Sequence, residues 1–313
     1  MADVGIERWG IRFRSPLVLA SGPAGFGLEL LGNIDMTSVG ALTAKTITPE
    51  PRAGNPQPRL VDCPAGALNS IGLDNPGFAA FADRILPRLT ELPTELIVSV
   101  AGGSPAETGR LVSSLATRPG VRMIELNLSC PNVAEGVVGA DVAAVRDYTQ
   151  AAREAFEDVL LVKLPGDAGD LVASSGAALA AGADGITLIN SLRGMRIDWR
   201  GQRPFLDGVF GGLSGPAILP IALARVFEVR RAFPEAVIVG TGGVVELGSL
   251  VEMLMAGADF VGIGFGLMID PGIGQRLAGE LRRWLDERGI ETVEAIRGAA
   301  HGKKRASDVR RSS

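Results

Sequence analysis

The chain has 313 residues, 46% of them hydrophobic and 21% charged, with a formal net charge of −4 and an isoelectric point near 5.3. This is a globular composition with enough apolar material for a large core, and its mild acidity gives no electrostatic reason to expect nucleic acid or an anionic membrane surface as the main partner. Two cysteines, Cys63 and Cys130, exclude a disulfide scaffold and any four-cysteine iron–sulfur or zinc site built from this chain alone, and the single histidine, His301, argues against histidine-based catalysis.

The start of the chain, Met1 to Arg8, lacks a basic region followed by an apolar one. No stretch approaches the roughly 18 uncharged apolar residues needed to span a bilayer. A cytoplasmic location is the expectation.

Short apolar runs alternate with amphipathic stretches at a spacing of about 30 residues, the pattern of repeated βα units. In chain order the strands are expected at Pro16–Gly22, Val39–Ile47, Glu95–Val100, Met123–Ser129, Val159–Pro165, Gly185–Ser191, Val237–Gly243 and Phe260–Gly266. Between and after them, apolar spacings of three and four predict helices over Ser104–Arg118, Asp141–Phe156, Asp167–Ala181, Gly215–Phe233, Glu246–Ala256 and Gly274–Arg288. Ser104 can cap the first of these, with Pro105 in the first helical position. Several strands are nearly continuous hydrophobic runs, as both-face burial requires. The expected fold is α/β: a single-domain (β/α)8 TIM barrel over residues 1–300. A basic tail, residues 301–313, follows with five Lys or Arg and no periodicity. An open doubly wound sheet is the competing architecture, but no Gly-x-Gly-x-x-Gly follows the first strand.

The informative residues are those that interrupt the apolar runs. Lys45 and Lys163 each stand alone in a strand otherwise read as buried. A buried ammonium carries a heavy desolvation cost unless an anion or acceptor meets it. A core carboxylate such as Glu125 could be that partner. Two such lysines at the carboxyl ends of different strands point instead to a ligand. In Met123–Asn132, alternation places Glu125, Asn127 and Ser129 on one face, and Cys130 falls in the following loop, where barrel active sites are built. The strand from Gly185 likewise ends in Asn190 and Ser191, and the loop Asn69–Gly77 adds Asn69 and Asn75. Buried amides both donate and accept, which suits a flat imide or lactam. Asn75, before Pro76, also suits a simple turn.

Glycine clusters close the last two strands, Gly240-Thr241-Gly242-Gly243 and Gly262-Ile263-Gly264-Phe265-Gly266, and a third, Gly211-Gly212-Leu213-Ser214-Gly215-Pro216, leads into a helix. Backbone N–H groups without Cβ atoms beside them can close on a phosphate, and the loops after strands seven and eight are its usual place in this barrel.

These residues resemble the dihydroorotate dehydrogenases. The match lies in Glu125 to Val133, Asn69 to Leu73, Gly194 to Asp198 and Gly211 to Pro216, and the resemblance covers residues 4 to 290. Ser129-Cys130-Pro131-Asn132 is most like the class 1B catalytic subunits, since membrane-bound class 2 enzymes carry serine at the cysteine position. The resemblance implies FMN as cofactor, Cys130 as catalytic base, and Lys45 and Lys163 as catalytic cations. It implies FMN contacts from Ala20, Ser21, Gly22, Lys45, Thr46, Ser99, Asn127, Lys163, Ile189, Ser214, Gly215, Gly242, Gly243, Gly264 and Phe265. Lys45, Asn69, Ser70, Ile71, Gly72, Leu73, Asn127, Asn132, Asn190 and Ser191 would hold the substrate. Cys63 is read as structural.

Three positions depart from the family pattern: Ser99 replaces an asparagine near the flavin, Phe265 replaces a threonine by the phosphate loop, and the loop Ala134–Gly139 is short. They keep open a second reading, another FMN barrel oxidoreductase acting on a different cyclic pyrimidine-like or enone substrate. A non-enzymatic phosphate-binding scaffold is a third. With no cysteine cluster and no dinucleotide fingerprint, electrons are expected to reach NAD through a partner, and the resemblance implies that this is a subunit carrying FAD and a [2Fe–2S] cluster on a homodimeric core. Direct reduction of fumarate is the alternative. No metal, nucleic acid or membrane is expected.

Overall fold

In the computed structural model the described residues are 1–129, 131–132, 136–167 and 169–302, with residues 30, 131, 132 and 136 described by backbone alone. Eight parallel strands close into a barrel: β1 Leu17–Leu19, β2 Ala41–Thr43, β3 Glu95–Val100, β4 Met123–Asn127, β5 Val159–Lys163, β6 Gly185–Leu188, β7 Val237–Thr241 and β8 Phe260–Ile263. They pair in sequence order, β8 returning to β1. Each lies within an expected strand, so the doubly wound alternative falls. The expectations overran at the carboxyl ends, where the chain leaves the ladder to form the rim.

Outside the barrel lie α1 Pro105–Ala116, α2 Val142–Arg153, α3 Leu171–Ala180, α4 Leu219–Ala232, α5 Leu247–Ala256, the short α6 Phe265–Ile269 and α7 Ile273–Asp286. Ser104 caps α1 by accepting from the N–H of Glu107, with Pro105 at the first position, and Asp141 and Asp170 cap α2 and α3. A further helical run, Gly77–Ala80, Phe81–Ile85 and Leu86–Leu89, follows β2, and its apolar spacing passed unnoticed in the sequence. Also unforeseen is a four-stranded antiparallel cap sheet, ordered Leu192–Met195, Phe210–Ser214, Gly66–Asn69, Leu60–Cys63. It is built from two long insertions, after β2 and β6, and Cys63 sits in its edge hairpin.

The amino-terminal hairpin, Ile6–Arg8 with Ile11–Phe13, closes the opposite end of the barrel. Trp9 stacks on Phe260 at 5.8 Å, Phe13 meets Phe260 edge-on at 4.7 Å, and the Trp9 indole N–H donates to the Asp184 carbonyl just before β6. Beside this plug, Asp259 is 1% exposed and binds Arg8 at 2.7 Å, Arg230 at 2.6 Å and Arg297 at 3.3 Å, while accepting the Ile238 N–H. Burial pulls the Arg230 guanidinium below its ordinary pKa, against the attraction of Asp259. His301 is not part of a loose tail. Its ring stacks on Phe227 at 3.8 Å and bonds the Ala256 carbonyl; residues 303–313 of the tail expected from 301 lie outside the described residues.

Removing one partner of a buried ion cluster leaves the others uncompensated, at about 3–5 kcal/mol. Asp259→Ala should therefore lower the urea unfolding midpoint by that much stability, whereas truncating the exposed Arg146 of the Arg146–Asp147 pair should leave it within about 1 kcal/mol.

Candidate active site

The register of the ladder sets what faces the lumen. Ser99 pairs with Glu125, Glu125 with Leu161, Asn127 with Lys163, and Lys163 with Thr187. Paired residues in parallel strands share a face, so Asn127, Lys163 and Thr187 all point into the lumen, as do Glu125 and Leu161 two residues earlier, and the tilt of the strands brings Thr187 level with Glu125. The uppermost layer opens, at the carboxyl end of the barrel, into a cavity of about 1110 Å³.

The cavity brings together residues from seven strand ends and the cap. Ala20, Ser21 and Gly22 follow β1; Lys45 and Thr46 follow β2; Asn127 and Ser129 come from β4; Lys163 ends β5; Ile189, Asn190 and Ser191 follow β6; Gly242 and Gly243 follow β7; Gly264 and Phe265 follow β8. Asn69 through Leu73, Ser214 and Gly215 line it from the cap. The sequence expectations thus meet at one place, with three exceptions. Ser99 does not line the cavity: it is fully buried, its hydroxyl bonded to Thr46 at 2.9 Å. It stands behind Thr46, because alternation from Glu125 keeps it one layer down. Cys130 lies outside the described residues, and so does the side chain of Asn132.

A hydrogen-bonded chain orders the polar side. The Asn127 amide donates to the Thr46 hydroxyl at 3.2 Å; its carbonyl accepts from the Ser129 hydroxyl, which in turn accepts from the Asn190 amide. Thr46 also bonds Ser99 at 2.9 Å and Ser21 at 3.3 Å. Side chains from the ends of β1, β2, β4 and β6 are thereby held in a single network. Ser129 is its hinge, a role alternation alone did not reveal. Asn69 donates to the Gly212 carbonyl at 3.2 Å, and Asn55 to the Ser70 hydroxyl at 2.8 Å, fixing the loop to the cap. Asn75 is a turn residue: its carbonyl accepts from Gly77 and Thr48 N–H groups.

The charged side is sparser. Lys163 is 6% exposed, and no hydrogen bond or ion pair joins its Nζ to another described residue. The pairing with Glu125 that the sequence left open is not made. Glu125 accepts from the Thr187 hydroxyl at 2.8 Å with Oε2, while Oε1 is buried without a partner among the described residues. Arg193, Phe210, Asp167 and Tyr148 also line the cavity and had no signal in the sequence, because three lie on the insertions and rim loops and the fourth on α2.

At the glycine turns, the N–H groups of Gly242, Gly243, Gly264 and Phe265 are given to no other described residue. Gly243, at φ +80°, has no room for a side chain: a Cβ would stand 2.6 Å from the Leu219 Cβ and 2.8 Å from its backbone N at the start of α4. Gly215, at φ +109°, is pressed against Gly66 in the same way.

Among the described residues no group of three or more His, Cys, Asp or Glu could hold a metal, and no helix is long and apolar enough to cross a membrane. The sequence profile described as dihydroorotate dehydrogenase matches residues 4–285. The catalytic subunit of dihydroorotate dehydrogenase B (NAD(+)) from Desulforudis audaxviator is 40% identical over 294 residues, covering 93% of this chain and 95% of that protein. Its counterpart from Trichlorobacter lovleyi is 40% identical over 301 residues, covering 96% and 99%. A crystal structure of the Eimeria tenella enzyme with ferulenol shares the fold, with a TM-score of 0.78 at 21% identity, covering 96% of this chain and 89% of the other. The chain belongs to the dihydroorotate dehydrogenase family.

Proposed function

We propose that this protein oxidises dihydroorotate to orotate in pyrimidine biosynthesis, using FMN and passing electrons to NAD through a separate subunit. The observation that supports it is the convergence of Lys45, Asn127, Lys163 and Asn190 with the glycine turns on one cavity. At about 1110 Å³ the cavity exceeds the roughly 300–1,000 Å³ of ordinary ligand pockets, which accommodates a cofactor and a substrate together.

The residues present fit FMN. Gly242, Gly243, Gly264 and Phe265 offer a cluster of unclaimed N–H donors to a phosphate. Lys163 offers a cation that pairs with no other described residue, placed where negative charge would develop on a reduced ring. Ala20, Ser21, Gly22, Thr46, Ile189, Ser214 and Gly215 complete the FMN site, and the binding unit is the barrel, residues 1–300. When bound, the flavin supplies a two-electron acceptor.

The chain's own residues do the rest. Lys45 neutralises the substrate carboxylate, and Asn69, Asn127, Asn132 and Asn190, with Ser191 and the Ser70 to Leu73 backbone, read its imide edges. Ser129 and its network lock the Asn127 and Asn190 amides in one orientation, so that ordering is complete before substrate arrives. Cys130, the residue after Ser129, removes the C5 proton as a thiolate while hydride leaves C6. The two losses together form the C5–C6 double bond. The relatives' names, as catalytic subunits of an NAD(+) enzyme, support a partner. An FAD/[2Fe–2S] subunit is the partner we assign, from the resemblance to the class 1B catalytic subunits; Cys63 and Cys130 cannot ligate such a cluster by themselves. The enzyme works in the cytoplasm.

The test is spectroscopic. The purified protein should carry a flavin absorption band that bleaches on anaerobic addition of dihydroorotate; a band that bleaches only with another cyclic enone or pyrimidine would replace the substrate. Gly243→Ala should purify largely without flavin while keeping its circular dichroism, because the added methyl displaces the start of α4. Cys130→Ser should keep the flavin band and lose about 10²–10⁴-fold in steady-state rate near neutral pH, the usual worth of a positioned base. Since a free thiol ionises near about 8.5, wild-type turnover should rise through mildly alkaline pH and that rise should vanish in the variant.

A further inference from the structure

Glu125 is a buried carboxylate between the barrel strands that the chemistry above does not use. It is 3% exposed, and it belongs to no ion pair within 4.0 Å among the described residues. Its Oε2 is satisfied by Thr187, but Oε1 faces no donor. A carboxylate buried on these terms is costly unless a charge nearby compensates it. The ladder identifies that charge. Thr187, which holds the carboxylate, is the register partner of Lys163, and Asn127, two residues on from Glu125, is its partner on the other side. Glu125 therefore reaches across β5 from β4 to β6 and lies one layer beneath Lys163, on the lumen side. Lys163 likewise has no hydrogen-bond or ion-pair partner among the described residues.

We infer that Glu125 is a positioning residue for the flavin site: its buried carboxylate, held by Thr187, is the counter-charge of Lys163 and sets how strongly that ammonium favours the reduced cofactor. The inference rests on the reading of Lys163 as a flavin-facing cation. In a low-dielectric barrel, charges one layer apart still act on each other strongly. A carboxylate behind the ammonium offsets part of its field at the cavity, which keeps the flavin reducing enough to pass electrons on. Glu125 touches neither cofactor nor substrate: it does not line the cavity.

The experiment is a midpoint potential measured on the flavin-loaded, purified protein. Glu125→Gln keeps the shape and the bond from Thr187 and deletes the charge. It should raise the midpoint by about 30 mV or more, the equivalent of a tenfold change in a two-electron equilibrium. Lys163→Met should lower it, and in the double variant the Glu125→Gln rise should shrink, because the two charges act as a pair. An unchanged midpoint in Glu125→Gln, with Lys163→Met lowered, would overturn the inference and leave the reading of Lys163 standing. An unchanged midpoint in Lys163→Met would overturn that reading itself. Should Glu125→Gln fail to yield loaded protein, Thr187→Val decides: releasing the carboxylate from the hydroxyl that holds it lets it swing away from Lys163 and should raise the midpoint in the same direction, and no rise would reject the proposal.

Discussion

The structure depends on register. With Asn127 beside Lys163 and Lys163 beside Thr187, an amide and an ammonium turn into the barrel's open end and a hydroxyl into the lumen beneath them. A slip of one residue on β5 would turn Lys163 out toward the helices and put Val162 in its place. The barrel tolerates no such slip, since closure of eight strands couples the register of each to all the others. The position of the cation is thus a property of the whole ladder.

The two ends of the barrel are treated differently. The lower end is sealed by Trp9, Phe13 and Phe260 and by the arginines gathered on Asp259, whose carboxylate is met by Arg8, Arg230 and Arg297. At the upper end four backbone N–H groups at the glycine turns and the Lys163 ammonium are claimed by no other described residue. Unmet donors destabilise an empty fold and reward a ligand that satisfies them. Residue choice follows the same division. Of the chain's 31 Lys and Arg residues only four are lysines, Lys45, Lys163, Lys303 and Lys304, so within the barrel every lysine lies at the cavity. Arginine, with its planar fork, serves the structural pairs; a compact ammonium serves as a point charge beside a ligand.

Much of this was legible along the chain. The eight apolar runs became the eight strands, and the lone lysines, strand-end amides and glycine turns met at one rim. They could be read because burial makes any polar interruption expensive, so each interruption marks a purpose. The cap sheet was not legible: Leu60–Cys63 and Gly66–Asn69 carry little apolar alternation, and their partner Phe210–Ser214 lies more than 140 residues away by the Leu68–Leu213 pairing. Ser99 illustrates the opposite failure. Its place in a strand was clear, but whether it met the ligand or the Thr46 hydroxyl hinged on one layer of depth that alternation does not report.

What the amino-acid sequence determined by itself was local: period, propensity and the chemical type of each residue that breaks a hydrophobic run. These fixed the βα repeat, the number of strands and the identity of the groups available for chemistry. Only the tertiary structure decided which of those groups share a layer, that Glu125 answers to Thr187 and leaves Lys163 unbridged, and that Ser129 joins Asn127 to Asn190. The reason is that such relations are set by closure and register between segments tens of residues apart, and no short-range pattern carries the distance across a barrel.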